Sequence, residues 1–381
     1  RYHAMVTMAR PLRVSIVTPS YNQGRFIETT VRSVLSQDDR AVEYIVVDGA
    51  STDQTPQVLR RYADRIDRLI REPDRGQSDA INKGFRAASG DIIAWINSDD
   101  YYFPNAVAAA ASAFERDPDL DVFYGDCVYT DENGWFLRYF TEIRPFSKHV
   151  LLNYSNFIMQ PATFFRRTAA ERLGFLREHL HYTMDWDLWC RFAEAGCHFR
   201  YEPTLIAANR QYPQTKTLAG GSERRGEILR HNREHGTTRL PWAAASFRVG
   251  EAIKQSRWGG RQGWLYPWVR RGKRWLRHEP QNHLYGLEAH GSALDHDFRL
   301  CFPWYEDGCQ QVAVEVGYQG RRPADLMLTL ADQTAKARLA DGQTAQLAVA
   351  LAGRRRLTVD LRGRWSSDGP GQLRLRRVEV H

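Results

Sequence analysis

With 381 residues, 43% hydrophobic side chains and 26% charged ones, the chain exceeds one ordinary core, and two or three globular domains are expected. A mean hydropathy of -0.55 and the lack of any apolar run near the roughly 20 residues that cross a bilayer exclude a membrane-spanning chain. A formal net charge of +8 suits nucleic acid, anionic lipid or a phosphate-bearing substrate, and the placement of the charge decides among them. The N-terminal "RYHAMVTMARPL" has no apolar stretch of the secretory kind and is set aside from the fold. Five cysteines, Cys127, Cys190, Cys197, Cys301 and Cys309, form no CxxC pair, which points to a reduced, cytosolic setting.

From residue 12 onward, short β-rich runs alternate with helical ones. "LRVSIVTPS" is a buried strand, and "RFIETTVRSVLSQ" carries apolar residues at helical spacing. "VEYIVVDGAS" is the second strand and "TDQTPQVLRRYADRI" the second helix, with Thr52 or Asp53 as N-cap. "IDRLIREP", "SDAINKGFRAAS" and "DIIAWINSDD" follow as strand, helix and strand. Alternation at this rhythm means parallel pairing through right-handed crossovers. Ligands of such sheets sit at the carboxyl ends of the strands. The polar clusters "TPSYN", "DGAST" and "NSDD" all fall there.

Two of these clusters carry chemistry in their residue types. The adjacent carboxylates Asp99 and Asp100 repel one another, and a divalent Mg²⁺ or Mn²⁺ carrying a diphosphate relieves that repulsion. The alternative is a cap on the helix of "PNAVAAAASAF". Asp48, at the end of "YIVV", is placed to accept a hydrogen bond from a nucleobase N–H. Tyr21 is placed to pack on the base, and Pro19 and Ser20 let the backbone approach it.

The stretches "VSIVTPSYNQGRFIETTVRSVLSQ", "YIVVDGASTDQT", "DRGQSDAINKGFRAASGDIIAWINSDDYYFPNA" and "MDWDLWCRFAEAG" resemble, in order and spacing, the successive motifs of family 2 glycosyltransferases. The resemblance covers residues 12–215 and implies a GT-A fold: a metal-dependent nucleotide-sugar domain that inverts the anomeric centre. It implies that Pro19, Tyr21 and Asp48 hold the nucleoside, and that Asn97, Ser98, Asp99 and Asp100 form the metal motif with Asp99 as ligand. Asp79, Asn82 and Lys83 line the diphosphate and sugar region in the same reading, Lys83 as a point charge. Asp185 becomes the catalytic base, since a single in-line displacement needs one carboxylate to take the acceptor's proton. Asp187 is the rival base or the partner of Arg191 at i+4. Trp186 and Trp189 are an acceptor platform or core. The chain departs from the family pattern at Asn97, at Gly49 and Ala50, at Ile81, at Met184, and at Tyr212, which stands at a histidine position.

Residues 216–280 form a basic, helical linker in which Trp258, Trp264, Trp268 and Trp275 are interleaved with arginines and lysines. Such a segment suits an anionic membrane face, where lipid-linked acceptors are found, or packs its indoles on the first domain. No nucleic-acid module is present. Residues 281–381 alternate apolar and polar positions between turn signals, which predicts an all-β sandwich. Trp304, Tyr305 or Trp365 are its candidate glycan contacts, and Asp295 with Asp297 a turn or a Ca²⁺ site.

The expectation is an α/β GT-A-type nucleotide-diphospho-sugar transferase domain, a helical linker and an all-β C-terminal sandwich. The expected reaction moves a sugar from a UDP-sugar (or a dTDP- or GDP-sugar) to a glycan or lipid-linked acceptor. The expected location is cytoplasmic, with peripheral contact to the inner face of the membrane. The alternative is a catalytically silent nucleotide-sugar-binding or carbohydrate-binding assembly protein.

Overall fold

The computed structural model describes residues 12–37, 42–134, 136–140, 142–216, 220–237, 293–294, 297–302, 311–330, 333–350, 359–368 and 371–380. The Trp/Arg segment, Trp304, Tyr305 and Asp295 lie outside them.

The first four strands are β1 (Val14–Ser20), β2 (Val42–Asp48), β3 (Arg68–Arg71) and β4 (Ile92–Trp95), linked by helices α1 (Ile27–Leu35), α2 (Thr55–Arg60) and α3 (Gln77–Ala87). All pair in parallel, in the order β3-β2-β1-β4. The chain therefore builds outward from β1 on one side and then crosses to its other side, leaving a switch point between β1 and β4 where a crevice opens. Every β1 residue is buried, and six of the seven β2 residues are, as strands covered by helices on both faces require. The predicted pairing holds for this half.

The second half is mixed. Next come β5 (Tyr101–Tyr102), α4 (Ala106–Arg116), β6 (Val122–Thr130), β7 (Phe136–Tyr139), α5 (Lys148–Asn153), β8 (Thr163–Arg166), α6 (Arg167–Leu173), α7 (Met184–Glu194), β9 (Phe199–Arg210) and α8 (Gly221–His235). Strand β8 runs antiparallel between β4 and β6, and β9 runs parallel to β6 and antiparallel to β5. The nine strands form one open sheet. Helix α3 lies so close to β1 that a Cβ on Gly84 would stand 2.3 Å from Val17 Cγ1.

The C-terminal residues form two four-stranded antiparallel sheets. One joins β10 (Ala293–Leu294), β17 (Gly371–Val380), β12 (Gln311–Gly320) and β15 (Thr344–Ala350). The other joins β11 (Asp297–Phe302), β16 (Val359–Ser367), β13 (Ala324–Leu330) and β14 (Gln333–Leu339). Tyr318 and Trp365, one from each sheet, meet edge to face at 5.9 Å, and Tyr318 Oη donates to Ser367 Oγ at 3.0 Å. Trp365 is 5% exposed, so it is an interior residue and not the glycan platform the sequence suggested.

Candidate active site

A cleft of about 540 Å³ opens at the β1/β4 switch point. Its walls include Pro19, Ser20 and Tyr21 from the end of β1, Asn97 to Asp100 after β4, and Asn209 to Tyr212 at the end of β9. Tyr21 is 62% exposed, standing free at the rim.

The two aspartates have separate roles. Helix α4 takes Asn105 as its N-cap, in a left-handed conformation (φ 66°), so neither Asp99 nor Asp100 caps it. Asp100 is buried and accepts from Arg210 N at 2.9 Å, Asn209 Nδ2 at 3.1 Å and Asn97 Nδ2 at 3.3 Å. It ties the end of β9 to the end of β4. Asp99 is half-buried on the cleft wall, and one of its oxygens accepts from Tyr212 Oη at 2.8 Å. Burial pushes both carboxyls above the ordinary range, Asp100 furthest because the charge of Asp99 adds to its burial. Two carboxyls raised in this way, one of them facing an open cleft, are a donor set that a divalent cation fits.

Asn97, at the position where the family pattern has an aspartate, is an amide junction. It donates to Asp100 and Gln160 (3.1 Å to Gln160 Oε1), and accepts from Gln77 Nε2 at 2.7 Å. Gln77 in turn accepts from Lys216 Nζ at 3.0 Å. An aspartate at 97 could not donate to Asp100, so the substitution turns a repulsion into a hydrogen bond. Gln77, Arg210, Tyr212 and Lys216 line the cleft. Sequence spacing singled out only Tyr212 among them, because Arg210 and Lys216 are recruited by the return of β9 beside β5 and meet Gln77 at the start of α3 only there.

Asp48, in register with Ser20 on the neighbouring strand, is completely buried. Its Oδ1 accepts from Ser51 N at 3.2 Å; its Oδ2 makes no hydrogen bond and lies 3.2 Å from Arg71 Nε. Ser20 Oγ is likewise buried without a hydrogen-bond partner. The residue after this turn but one, Ala50, has φ 63°. That left-handed conformation is one that glycine enters without strain and alanine does not.

Three residues expected along the diphosphate are engaged elsewhere. Asp79 pairs with Arg75 (3.1 Å) and Lys83 (3.6 Å), and the Arg75 contact holds its carboxyl below the ordinary range. Lys83 Nζ also pairs with Glu72 at 2.9 Å and donates to Pro73 O at 2.8 Å. Asn82 is buried and exchanges two hydrogen bonds with the Leu176 backbone (2.8 and 3.0 Å). None of the three lines the cleft.

Asp185 stands in the first turn of α7. It accepts from Asn156 Nδ2 at 3.0 Å, and burial pushes its carboxyl up to about 6. Asp187 is fully enclosed. Its oxygens meet Arg191 Nε (2.8 Å), Arg177 Nη1 (3.1 Å) and His235 Nε2 (3.0 Å). The i+4 partnership expected with Arg191 is present, and the three cations outweigh burial and hold Asp187 below the ordinary range. His231 and His235 bring ring nitrogens within 4.8 Å of this carboxylate. Two guanidinium groups already neutralise that oxygen pair, so this is an ion-pair knot and not a seat for a further cation. Trp186 and Trp189 are both buried, Trp186 donating to Leu151 O at 2.8 Å; both are core.

Residues 15–174 match the model of the family described as Glycosyl transferase family 2. An uncharacterized glycosyltransferase of Rickettsia conorii is 30% identical over 200 residues, covering 49% of this chain and 32% of that protein. A PGL/p-HBAD biosynthesis glycosyltransferase of Mycobacterium bovis is 29% identical over 211 residues, covering 54% of this chain and 79% of that protein. The chain spans 32% to 66% of the length of the first curated relatives it matches. The crystal structure of S. aureus TarS 1-349 in complex with UDP-GlcNAc superposes with a TM-score of 0.48 at 15% identity, covering 71% of this chain and 77% of that one. The matched segment contains β1 to β4 and the doubled aspartate of the cleft, in an α/β sheet. Through residues 15–174 the chain belongs to glycosyl transferase family 2.

Proposed function

We propose that the N-terminal domain transfers a sugar from a nucleoside-diphosphate sugar to a hydroxyl acceptor with inversion, in the assembly of a polysaccharide or glycoconjugate. One observation carries this reading. Ser20 Oγ, on the cleft wall, is buried without a hydrogen bond, and the strand end paired with it holds Asp48, whose Oδ2 has the Arg71 ion pair and no hydrogen bond; another wall of the cleft holds Asp99. Buried polar atoms without partners are costly unless a ligand completes them. A carboxylate acceptor beside the Arg71 guanidinium complements the N–H and C=O edge of uracil, thymine or guanine. Tyr21 and Pro19 flank the base in this reading, with UDP the first choice.

Asp99 is the residue that would hold the divalent ion, Mn²⁺ or Mg²⁺, and such an ion supplies charge stabilisation to the leaving diphosphate when bound. Tyr212 orients Asp99 by donating to one oxygen. Lys216, Arg210 and Gln77 bring donors to the same wall, taking the place the sequence reading gave to Lys83. Asp185 takes the proton from the acceptor hydroxyl as its oxygen bonds to the anomeric carbon. The bond from that carbon to the diphosphate oxygen breaks, and the nucleoside diphosphate leaves with the electron pair. The three cationic partners of Asp187 disfavour it as the base and support Asp185 in this reading. The two C-terminal sheets are read as a sandwich serving as an accessory module.

Thermal unfolding with UDP-, dTDP- and GDP-sugars in the presence of Mn²⁺ tests the proposal. At least one should stabilise the protein, by about 2.7 kcal/mol at a hundredfold excess over its Kd. The shift should vanish with EDTA and in Asp99→Asn. A flat response to all three donors overturns it.

A further inference from the structure

Helix α7 presents Asp185, yet it begins without a side-chain cap of its own. The three residues leading into it, His181 to Thr183, point their backbone N–H groups at one side chain from far along the chain. Glu227, on α8, accepts from His181 N (3.0 Å to one oxygen and 3.1 Å to the other), Tyr182 N (2.6 Å), Thr183 N (2.6 Å) and Thr183 Oγ1 (2.9 Å). The carboxylate is 3% exposed. Burial alone would discourage its ionisation, but these donors outweigh burial and hold Glu227 below the ordinary carboxyl range. Thr183 O in turn accepts the first helical bond, from Asp187 N at 2.8 Å. Fixing Thr183 thus fixes the turn that carries Asp185.

The seat is built from both ends. Gly220, just before α8, packs so tightly on Tyr182 that a Cβ there would lie 2.5 Å from Tyr182 Cε1, and Tyr182 Oη donates to Glu223 at 3.3 Å. Two turns further along α8, His235 engages Asp187 and Glu194, both on α7. One helix therefore grips α7 at its entry and again along its length. Neither Glu227 nor His235 belongs to residues 15–174, the span that marks the family.

We propose that Glu227 is a positioning residue of the transfer reaction, its carboxylate acting as a clamp on residues 181–183 that fixes the turn carrying Asp185, three residues after the cleft-lining Tyr182. This rests on the reading of Asp185 as the base. Of the three residues that Glu227 clamps, Tyr182 lines the cleft and is held through its backbone N–H, so the loss of Glu227 should be felt in turnover more than in donor binding.

The full chain with Glu227→Gln tests the clamp in two measurements. Hydrogen exchange followed by mass spectrometry should show the 181–183 amides exchanging about tenfold faster or more, as the loss of charge-assisted bonds dictates. Release of nucleoside diphosphate from UDP-glucose, dTDP-glucose or GDP-mannose, with water as acceptor, should show kcat lowered about tenfold with KM within about twofold. Glu227→Asp, which keeps the charge but withdraws it by one methylene, should recover part of both. Thr183→Val, which removes only the hydroxyl contact, should show a smaller change of the same kind and places less demand on folding. Unchanged exchange in Glu227→Gln, or a raised KM with intact kcat, overturns the proposal. Asp185→Asn separates the two readings. Turnover that survives Asp185→Asn but falls in Glu227→Gln removes the base assignment and leaves the clamp standing.

Discussion

A carboxyl that titrates near pH 6, as Asp185 does because burial disfavours its charge, is ionised at neutral pH yet still basic enough to accept a proton. The base must be deprotonated to work, so kcat/KM should be flat above neutrality and fall as pH drops below about 6. Asp185→Asn should cost roughly 10²- to 10⁴-fold in turnover while the thermal shift with nucleotide sugar persists. A pH profile with no acid limb, or an active Asn variant, rules the assignment out. Beyond the end of β2, Ala50 is held at φ 63°. Ala50→Gly should stabilise the protein by about 1 kcal/mol, since glycine enters that conformation freely and the gain exceeds its extra chain entropy. Denaturant melts of the two proteins compare them directly.

At the scale of elements, the junction of α7 and α8 is where charge and packing meet. His235 lies between Asp187 and Glu194 at 3.0 Å from each. Burial alone would lower its pKa, but the two carboxylates outweigh burial and raise it above the ordinary histidine value. A raised folded-state pKa contributes stability that is complete below the unfolded value and disappears as pH rises through the folded one. His235→Gln should therefore destabilise by about 1–3 kcal/mol at pH 6, and the gap from the parent should shrink as pH is raised above neutrality. Urea melts at several pH values measure it, and a gap that widens with pH contradicts the account. His231, which burial pushes down to about 3 and whose ring lies 4.4 Å from that of Trp186 at a tilt of 41°, stays neutral across this range and adds no slope. Farther back, Gly84 is required by the approach of α3 to β1: Gly84→Ala would force Val17 aside and should cost about 1–3 kcal/mol.

For the molecule as a whole, the helix at Gly221–His235 is bound to α7 and α5 more firmly than a linker would be. Beyond Glu227 and His235, Asn153 Oδ1 accepts from Thr237 N at 2.8 Å. A chain ending near residue 240 should fold and bind nucleotide sugar, whereas one ending at 215 should not. Gel filtration and thermal shift of the two truncations decide this. The net charge of +8 is not gathered on the cleft, whose charged lining residues include both signs. Among the described residues no helix is long and apolar enough to cross a membrane.

The order of β1 to α3, the strand ends that carry Ser20, Asp48 and Asp99, and the assignment to the family were all legible from local patterns. They follow from periodicity, turn chemistry and motif spacing, each confined to a few neighbouring residues. The fates of Lys83, Asn82 and Asp79 were not legible, because their partners Glu72, Leu176 and Arg75 are chosen by how loops pack against α3. Nor could spacing show that Asp100 ties strands together while Asp99 faces the cleft, since adjacent side chains differ in role only once β9 has returned beside them. Tertiary structure alone settled that Asp187 is neutralised by Arg177 and His235, and that Glu227 seats the helix of Asp185. The contacts of His235 and Glu227 join residues 48 and 44 positions apart, and long-range pairing of charge is set by the closure of the chain, not by any local stretch of it.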